Sequence, residues 1–413
     1  MKIKKHTLSN GLRLVHSEDL STQMVALNIL YNVGARDEDP EHTGFAHLFE
    51  HLMFEGSAHI PDYDEPLQLA GGENNAWTNN DITNYYLTIP HQNVETGFWL
   101  ESDRMLSLDF NLKGLDVQKG VVMEEFKQRC LNQPYGDVDH LTRAQAYSVH
   151  PYQWPTIGKE LSHIANATLD EVKDFFFRFY APNNAIIAVT GNISFEKAVA
   201  LTEKWFGPIS QREIAKRKLP QEPRQTEQKR MEVLRDVPVD SLFMNFHMSD
   251  RLSPDYYAFD ILSDILSNGQ SSRLQQHLVR DKRIFSSIDA YISGSIDPGL
   301  FQISGKPNTG ISLEQAEQAV WDELQILQTE LINNQELEKV KNKFESGHIF
   351  GNINYQSVAT NLAWFELIGK AEDLEKEVDN YRSVTVSHLR DLAGRAFQPS
   401  SSCILYYKNG KVN

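Results

Sequence analysis

The sequence predicts an α+β protein of two similar domains, each a mainly antiparallel β-sheet packed against helices. Three observations carry that expectation. Strand-like runs followed by helical stretches occur in the first half of the chain and again in the same order in the second. A chain of 413 residues is longer than one core ordinarily serves, which points to two domains of about 200 residues. Between the halves, residues 212–230 hold Arg212, Lys216, Arg217, Lys218, Arg224, Lys229 and Arg230 with Pro220 and Pro223 and no helical apolar stripe. That composition is expected of a solvated linker, with domains over 1–211 and 231–413.

The elements follow in order. Lys5-His6-Thr7-Leu8 and Asn10-Gly11-Leu12-Arg13-Leu14-Val15 give a strand, turn and strand signal. Further strands are expected at Met24–Ile29, Asn84–Ile89 and Ala185–Thr190. From Thr43, a residue able to cap a helix, Phe45, Leu48, Phe49, Leu52 and Met53 fall at i, i+3, i+4, i+7 and i+8, the spacing of one buried helical stripe. A second helix without proline is expected from Leu112 to Asn132. The second half repeats the order with a strand at Ser241–Phe246, a helix around Tyr256 to Leu266, strands near Ser287–Ile292 and Gly299–Ser304, long helices from Ser312 onward and a final strand at Cys403–Tyr407.

Residues 47–51 read His-Leu-Phe-Glu-His. On a helix with the stripe just described, both histidines and Glu50 lie on the side away from the apolar face. His47 and His51 are four residues apart, so their imidazoles stand one turn above the other and can converge on a tetrahedral zinc ion. Glu50 stands between them, within reach of a water held there. A histidine on a polar helix face is commonly just solvated, but the phase of the stripe argues against that here. Two histidines leave a zinc site incomplete, and a carboxylate from another helix would complete it. The expected helix after Leu112 offers Glu124 and Glu125, between which spacing alone does not choose.

Composition bounds the rest. Hydrophobic content of 40% and charged content of 23% are ordinary for a globular protein, and a net charge of -16 disfavours a nucleic-acid partner. Asn268-Gly269-Gln270 lacks the spacing of a nucleotide-binding loop. Met1–Leu20 holds no apolar run of signal-peptide type and no stretch approaches a membrane span, so a cytoplasmic location is the expectation, with a periplasmic or secreted one as the alternative. Two cysteines, Cys130 and Cys403, exclude a disulfide framework, and Cys130 reads as a packing residue.

Several stretches together resemble the inverzincin, or pitrilysin/insulinase-type, zinc metallopeptidases, a family that includes the mitochondrial processing peptidase. They are the run Gly44–Ser57, the stretch Gly71-Gly72-Glu73-Asn74-Asn75-Ala76-Trp77-Thr78, the run Val121-Val122-Met123-Glu124-Glu125, His150-Pro151-Tyr152 with Ile157-Gly158, and Tyr180-Ala181-Pro182-Asn183-Asn184-Ala185. The resemblance implies that His47, His51 and Glu125 bind one zinc ion per chain, that Glu50 is the general base, and that peptide substrate lies along an edge strand at Asn75, Ala76 and Trp77. It also implies a fold that forms half of a clamshell. Two departures stand out. Gln118 occupies a position where the family commonly has a glutamate that supports the metal site, and Arg280 matches a substrate-gripping arginine whose tyrosine partner seven residues on is here Ser287. These departures predict weaker support of the metal and a heterodimer with a related subunit carrying the arginine and tyrosine pair. A homodimer, with a nearby residue such as Tyr291 replacing the phenol, is the alternative. Zinc-dependent cleavage of unfolded peptides or presequences is the expected activity, set against a non-catalytic structural subunit of the same family.

Overall fold

The first sheet begins with Ile3–Thr7 (β1) and Arg13–Glu18 (β2), paired antiparallel from Ile3 against Ser17 to Thr7 against Arg13. In this computed structural model, which describes residues 1–410, Met24–Tyr31 (β3), Glu73–Thr78 (β4), Thr83–Pro90 (β5) and Ala185–Gly191 (β6) complete that sheet. The order is β1-β2-β6-β3-β5-β4, with β2 and β6 parallel and all other pairs antiparallel.

The nearly unbroken apolar run of β3 has a direct cause, since both of its faces are covered. Val25, Leu27, Ile29 and Tyr31 enter one core, while Ala26 and Leu30 enter a second core with Val358, Ala359, Leu362 and Ala363 of the helix Tyr355–Ile368. The one polar residue in the middle of the strand, Asn28, is fully buried and satisfied by Asn84 at 2.8 Å and by the Thr360 hydroxyl at 2.9 Å.

Four helices of this region matter for the site: Phe45–Leu52 (α1), Asp64–Leu69 (α2), Val94–Leu106 (α3) and Leu112–Phe126 (α4). The helical character expected over Leu112–Asn132 is found through Leu131, its last five residues as a π turn. It starts at Asn111, whose side chain accepts the Gly114 N–H at 2.7 Å, and beyond Phe126 a π turn over Lys127–Leu131 ends it.

The second sheet contains Lys229–Arg235 (β7), Ser241–His247 (β8), Phe285–Ile292 (β9), Leu300–Pro307 (β10) and Ser402–Asn409 (β11) in the order β7-β11-β8-β10-β9. Only β7 and β11 run parallel. One face packs on the helices Asp255–Ser267, Leu313–Thr329 and Val386–Ala396 through Phe259, Ile261, Leu262, Leu324 and Leu389. Alternation along β11 sends Ile404 into that core and Cys403 to the other face, against Ala146 and Tyr147.

Contacts divide the chain into two units that are not contiguous in sequence. The first holds residues 1–129, 154–220 and 349–376, and the second holds 130–153, 221–348 and 377 onward. Residues 211–228 form neither helix nor strand. Their basic side chains are partly anchored within the first unit: Arg212 donates to the Tyr180 carbonyl at 3.0 Å, and Arg217 pairs with Asp37 at 2.5 Å.

Candidate active site

The apolar stripe of α1 is buried as its spacing predicts, with Phe45, Leu48, Phe49, Leu52 and Met53 each no more than 7% exposed. The start of the helix differs from expectation. Thr43 does not cap it: its hydroxyl accepts the Lys159 N–H at 2.7 Å and meets His163 Nδ1 at 2.8 Å. The first residue before the helix is Gly44, left-handed at φ 86°, and the orphan N–H groups of the first turn are met from a distance by Glu38. Its carboxylate accepts from Gly44 N–H and Ala46 N–H at 2.9 Å each and from the Trp154 indole at 3.1 Å. Burial nevertheless pushes the Glu38 carboxyl up to about 8, against the opposing pull of those donors. A side chain on Gly44 would put its Cβ 2.8 Å from Ile164 Cδ1 and 2.9 Å from the Ile157 carbonyl oxygen, so glycine is required both for the backbone angle and for the close approach of the 157–158 segment.

This anchoring aims the polar side of α1 at α4. His47 Nε2 and His51 Nε2 stand 3.3 Å apart, and Glu125 Oε2 is 3.5 Å from each. Ligand atoms about 2.0–2.1 Å from a tetrahedral zinc stand about 3.3 Å from one another, so these three residues fit three corners of such a site. They form the one cluster of three metal-capable side chains among the described residues. Burial pushes the His47 imidazole down to about 4, which keeps it neutral as a ligand must be. The His51 imidazole beside it holds the Glu125 carboxyl below the usual carboxylate range, and Arg129 takes its other oxygen at 3.0 Å. Glu124 is exposed and 3.7 Å from Lys127, turned away from the histidines.

Glu50 is partly buried beside this cluster, and desolvation raises its carboxyl above the ordinary glutamate range. The largest opposing influence is the Thr78 hydroxyl, which donates to Glu50 Oε2 at 2.6 Å, ahead of the His51 and Arg129 charges. Thr78 ends β4, the strand that also carries Asn75, Ala76 and Trp77. Because β4 is last in the sheet order, one of its edges has no strand beside it among the described residues. The Asn75 side chain is exposed and accepts the Ala76 N–H at 2.8 Å.

Gln118 lies two turns before Glu125 on α4 and donates through its amide nitrogen to Glu55. Its carbonyl oxygen and His47 Nδ1 are both buried without hydrogen-bond partners. Arg280, on the π turn Leu274–Asp281, donates to Gln270. Ser287 and Tyr291 lie on β9, opposite Lys306 and Gln302. Tyr291 is 47% exposed and borders a cavity of about 220 Å³ with Asn245, Gln302 and Asp139. Arg280, Ser287 and Tyr291 belong to the second unit, and the metal-capable cluster to the first. Sequence reasoning did not single out Glu38, Arg129 or a role for Thr78. A hydroxyl closing the Asn-Ala-Trp strand was the only signal for the last of these.

Comparison with known proteins gives consistent results. A family model described as Insulinase (Peptidase family M16) matches residues 13–159, and one described as Peptidase M16 inactive domain matches residues 166–344. The zinc protease PqqE of Helicobacter pylori is 28% identical over 410 residues, covering 97% of this chain and 92% of that protein. The crystal structure of a protease from Helicobacter pylori superposes with a TM-score of 0.92 at 28% identity, covering 98% of this chain and 99% of that one. The periplasmic protease PqqL of Escherichia coli shares the fold with a TM-score of 0.81 at 19% identity, and this chain, 99% covered, spans 48% of it. Among the described residues no helix is long and apolar enough to cross a membrane.

Proposed function

The chain belongs to the pitrilysin/insulinase-type (M16) peptidase family, and we propose that it is a zinc-dependent endopeptidase that hydrolyses unfolded peptides in a chamber completed by a second chain. The observation that carries this reading is the convergence of His47 Nε2, His51 Nε2 and Glu125 Oε2 at 3.3–3.5 Å, with the carboxylate of Glu50 on the same helix as the two histidines. Three protein ligands leave a fourth position open, as catalytic rather than structural zinc sites do. A zinc ion held by these three residues would supply Lewis acidity, bringing the pKa of a water down toward neutrality and polarising the scissile carbonyl. Glu50 accepts that proton at the oxygen not engaged by Thr78, then delivers it to the leaving amine nitrogen. The open edge of β4 at Asn75, Ala76 and Trp77 receives the peptide main chain by strand addition, which demands little of the side chains and leaves selectivity loose. Gln118, whose amide donates to Glu55, contributes no negative charge to the site.

The partner follows from length and from the second half of the chain. This chain spans about half of the Escherichia coli PqqL, so a second chain of similar size would complete an equivalent assembly. Arg280 grips substrate, but Ser287 offers only a short hydroxyl where a phenol would reach further. A heterodimer with a related subunit carrying both groups is therefore favoured over a homodimer.

The match of residues 166–344 to an inactive domain supports a second reading, a non-catalytic subunit. His47, Glu50, His51 and Glu125 all lie outside that segment, which favours the enzyme. The test is incubation of purified protein with a peptide library read by mass spectrometry. Cleavage that stops with a zinc chelator and returns with zinc is expected. Cleavage unaffected by metal removal, or none from zinc-loaded protein supplied with its co-purifying partner, would overturn the reading.

A further inference from the structure

We infer that Thr78 is a positioning residue for Glu50: its hydroxyl fixes which carboxylate oxygen is free to take the proton, and it ties the base to the strand that receives the peptide. The inference rests on the reading of Glu50 as general base, but the observation behind it is independent of the metal. Thr78 Oγ1 donates to Glu50 Oε2 at 2.6 Å, a short charge-assisted bond. A carboxylate on a single helical turn retains rotation about its last bond, because terminal sp³–sp² torsions are broad. One donor on one oxygen removes that freedom and leaves Oε1 as the acceptor.

The donor comes from β4 and not from α1 itself. Thr78 pairs with Thr83 of β5 at the end of the strand, three residues beyond Asn75 and two beyond Ala76. A peptide added to that edge and the hydroxyl that orients the base are therefore held by the same six-residue strand. Shifts of the strand on peptide binding reach Glu50 through one hydrogen bond.

The experiment compares the wild-type protein, in the assembly in which it purifies, with Thr78→Val, Thr78→Ser and Glu50→Gln. Steady-state peptide hydrolysis, zinc content and crystal structures of the metal-free proteins are the readouts. Thr78→Val keeps the shape of threonine without the donor. It should lose roughly ten- to hundredfold in kcat, the range for a hydrogen bond to a charged group, with KM and zinc content near wild type. Thr78→Ser should recover most of the loss. In the metal-free crystals the Glu50 carboxylate should hold one orientation in wild type and Thr78→Ser and spread over several in Thr78→Val. Wild-type kcat in Thr78→Val, a Thr78→Ser variant as slow as Thr78→Val, or an unchanged single carboxylate orientation in Thr78→Val would each overturn the inference. Failure of the underlying reading shows separately, as turnover surviving in Glu50→Gln.

Discussion

His47, His51 and Glu125 each offer one atom to a common point, while the neighbouring carboxylate of Glu124 pairs with Lys127 instead. Removing a ligand and removing its neighbour should therefore have different outcomes. His51→Ala and Glu125→Ala should purify with little zinc and no peptidase activity, whereas Glu124→Ala should keep a full ion. Metal content by elemental analysis decides it, and a zinc-free Glu124→Ala beside a zinc-loaded Glu125→Ala would reverse the assignment. The two histidines and Glu50 were legible in the sequence because residues four apart on a helix are neighbours by local geometry alone. The choice of Glu125 was not legible from spacing, since the phase of α4 is set by which side packs through Leu115, Val122 and Phe126. It came from the resemblance. The role of Thr78 depends on chain segments meeting in space, which no period in the sequence announces, whereas Arg129 reaches Glu125 from four residues further along the same helical run.

At the scale of elements, α1 is only eight residues long and depends on its surroundings for stability. Gly44→Ala should cost roughly 1–3 kcal/mol for the left-handed backbone. The contact with the Ile157 carbonyl adds to that, and thermal denaturation should show it as a lower Tm. Glu38 gives the same helix end a pH dependence. Its folded-state value of about 8 lies above the ordinary 4.5, so between those values the folded chain holds a proton that the unfolded chain has released. The stability this contributes is present below about pH 4.5 and fades as pH rises toward 8. Urea midpoints of wild type should accordingly fall relative to Glu38→Gln across that window, and parallel curves would contradict the assignment. The sequence suggested Thr43 as the cap because a threonine just before an apolar stripe fits the usual pattern. The structure uses a carboxylate six residues before Gly44, which the local pattern cannot reveal. The strands were legible because their apolar runs and alternation are local, as in β3, β5 and β6.

For the whole molecule, the repeated order of strands and helices was legible as two α+β halves. What was not is that the helix Tyr355–Ile368 packs on the first sheet while residues 130–153 group with the second, because pairings across hundreds of residues leave no local trace. The proposed need for a partner makes a further prediction. If the missing phenol limits the isolated chain, Ser287→Tyr should raise its peptide turnover on the order of tenfold. Full turnover by the wild-type homodimer, unchanged by that substitution, would remove the reason for a distinct partner. In the proposed function, one zinc ion and one carboxylate base on α1 perform the hydrolysis. The most direct measurement is zinc content and peptide turnover determined together on wild type and Glu50→Gln. One zinc per chain is expected in both proteins, with turnover in wild type alone. Turnover retained in zinc-loaded Glu50→Gln, or wild type that binds no zinc yet cleaves peptides, would contradict it.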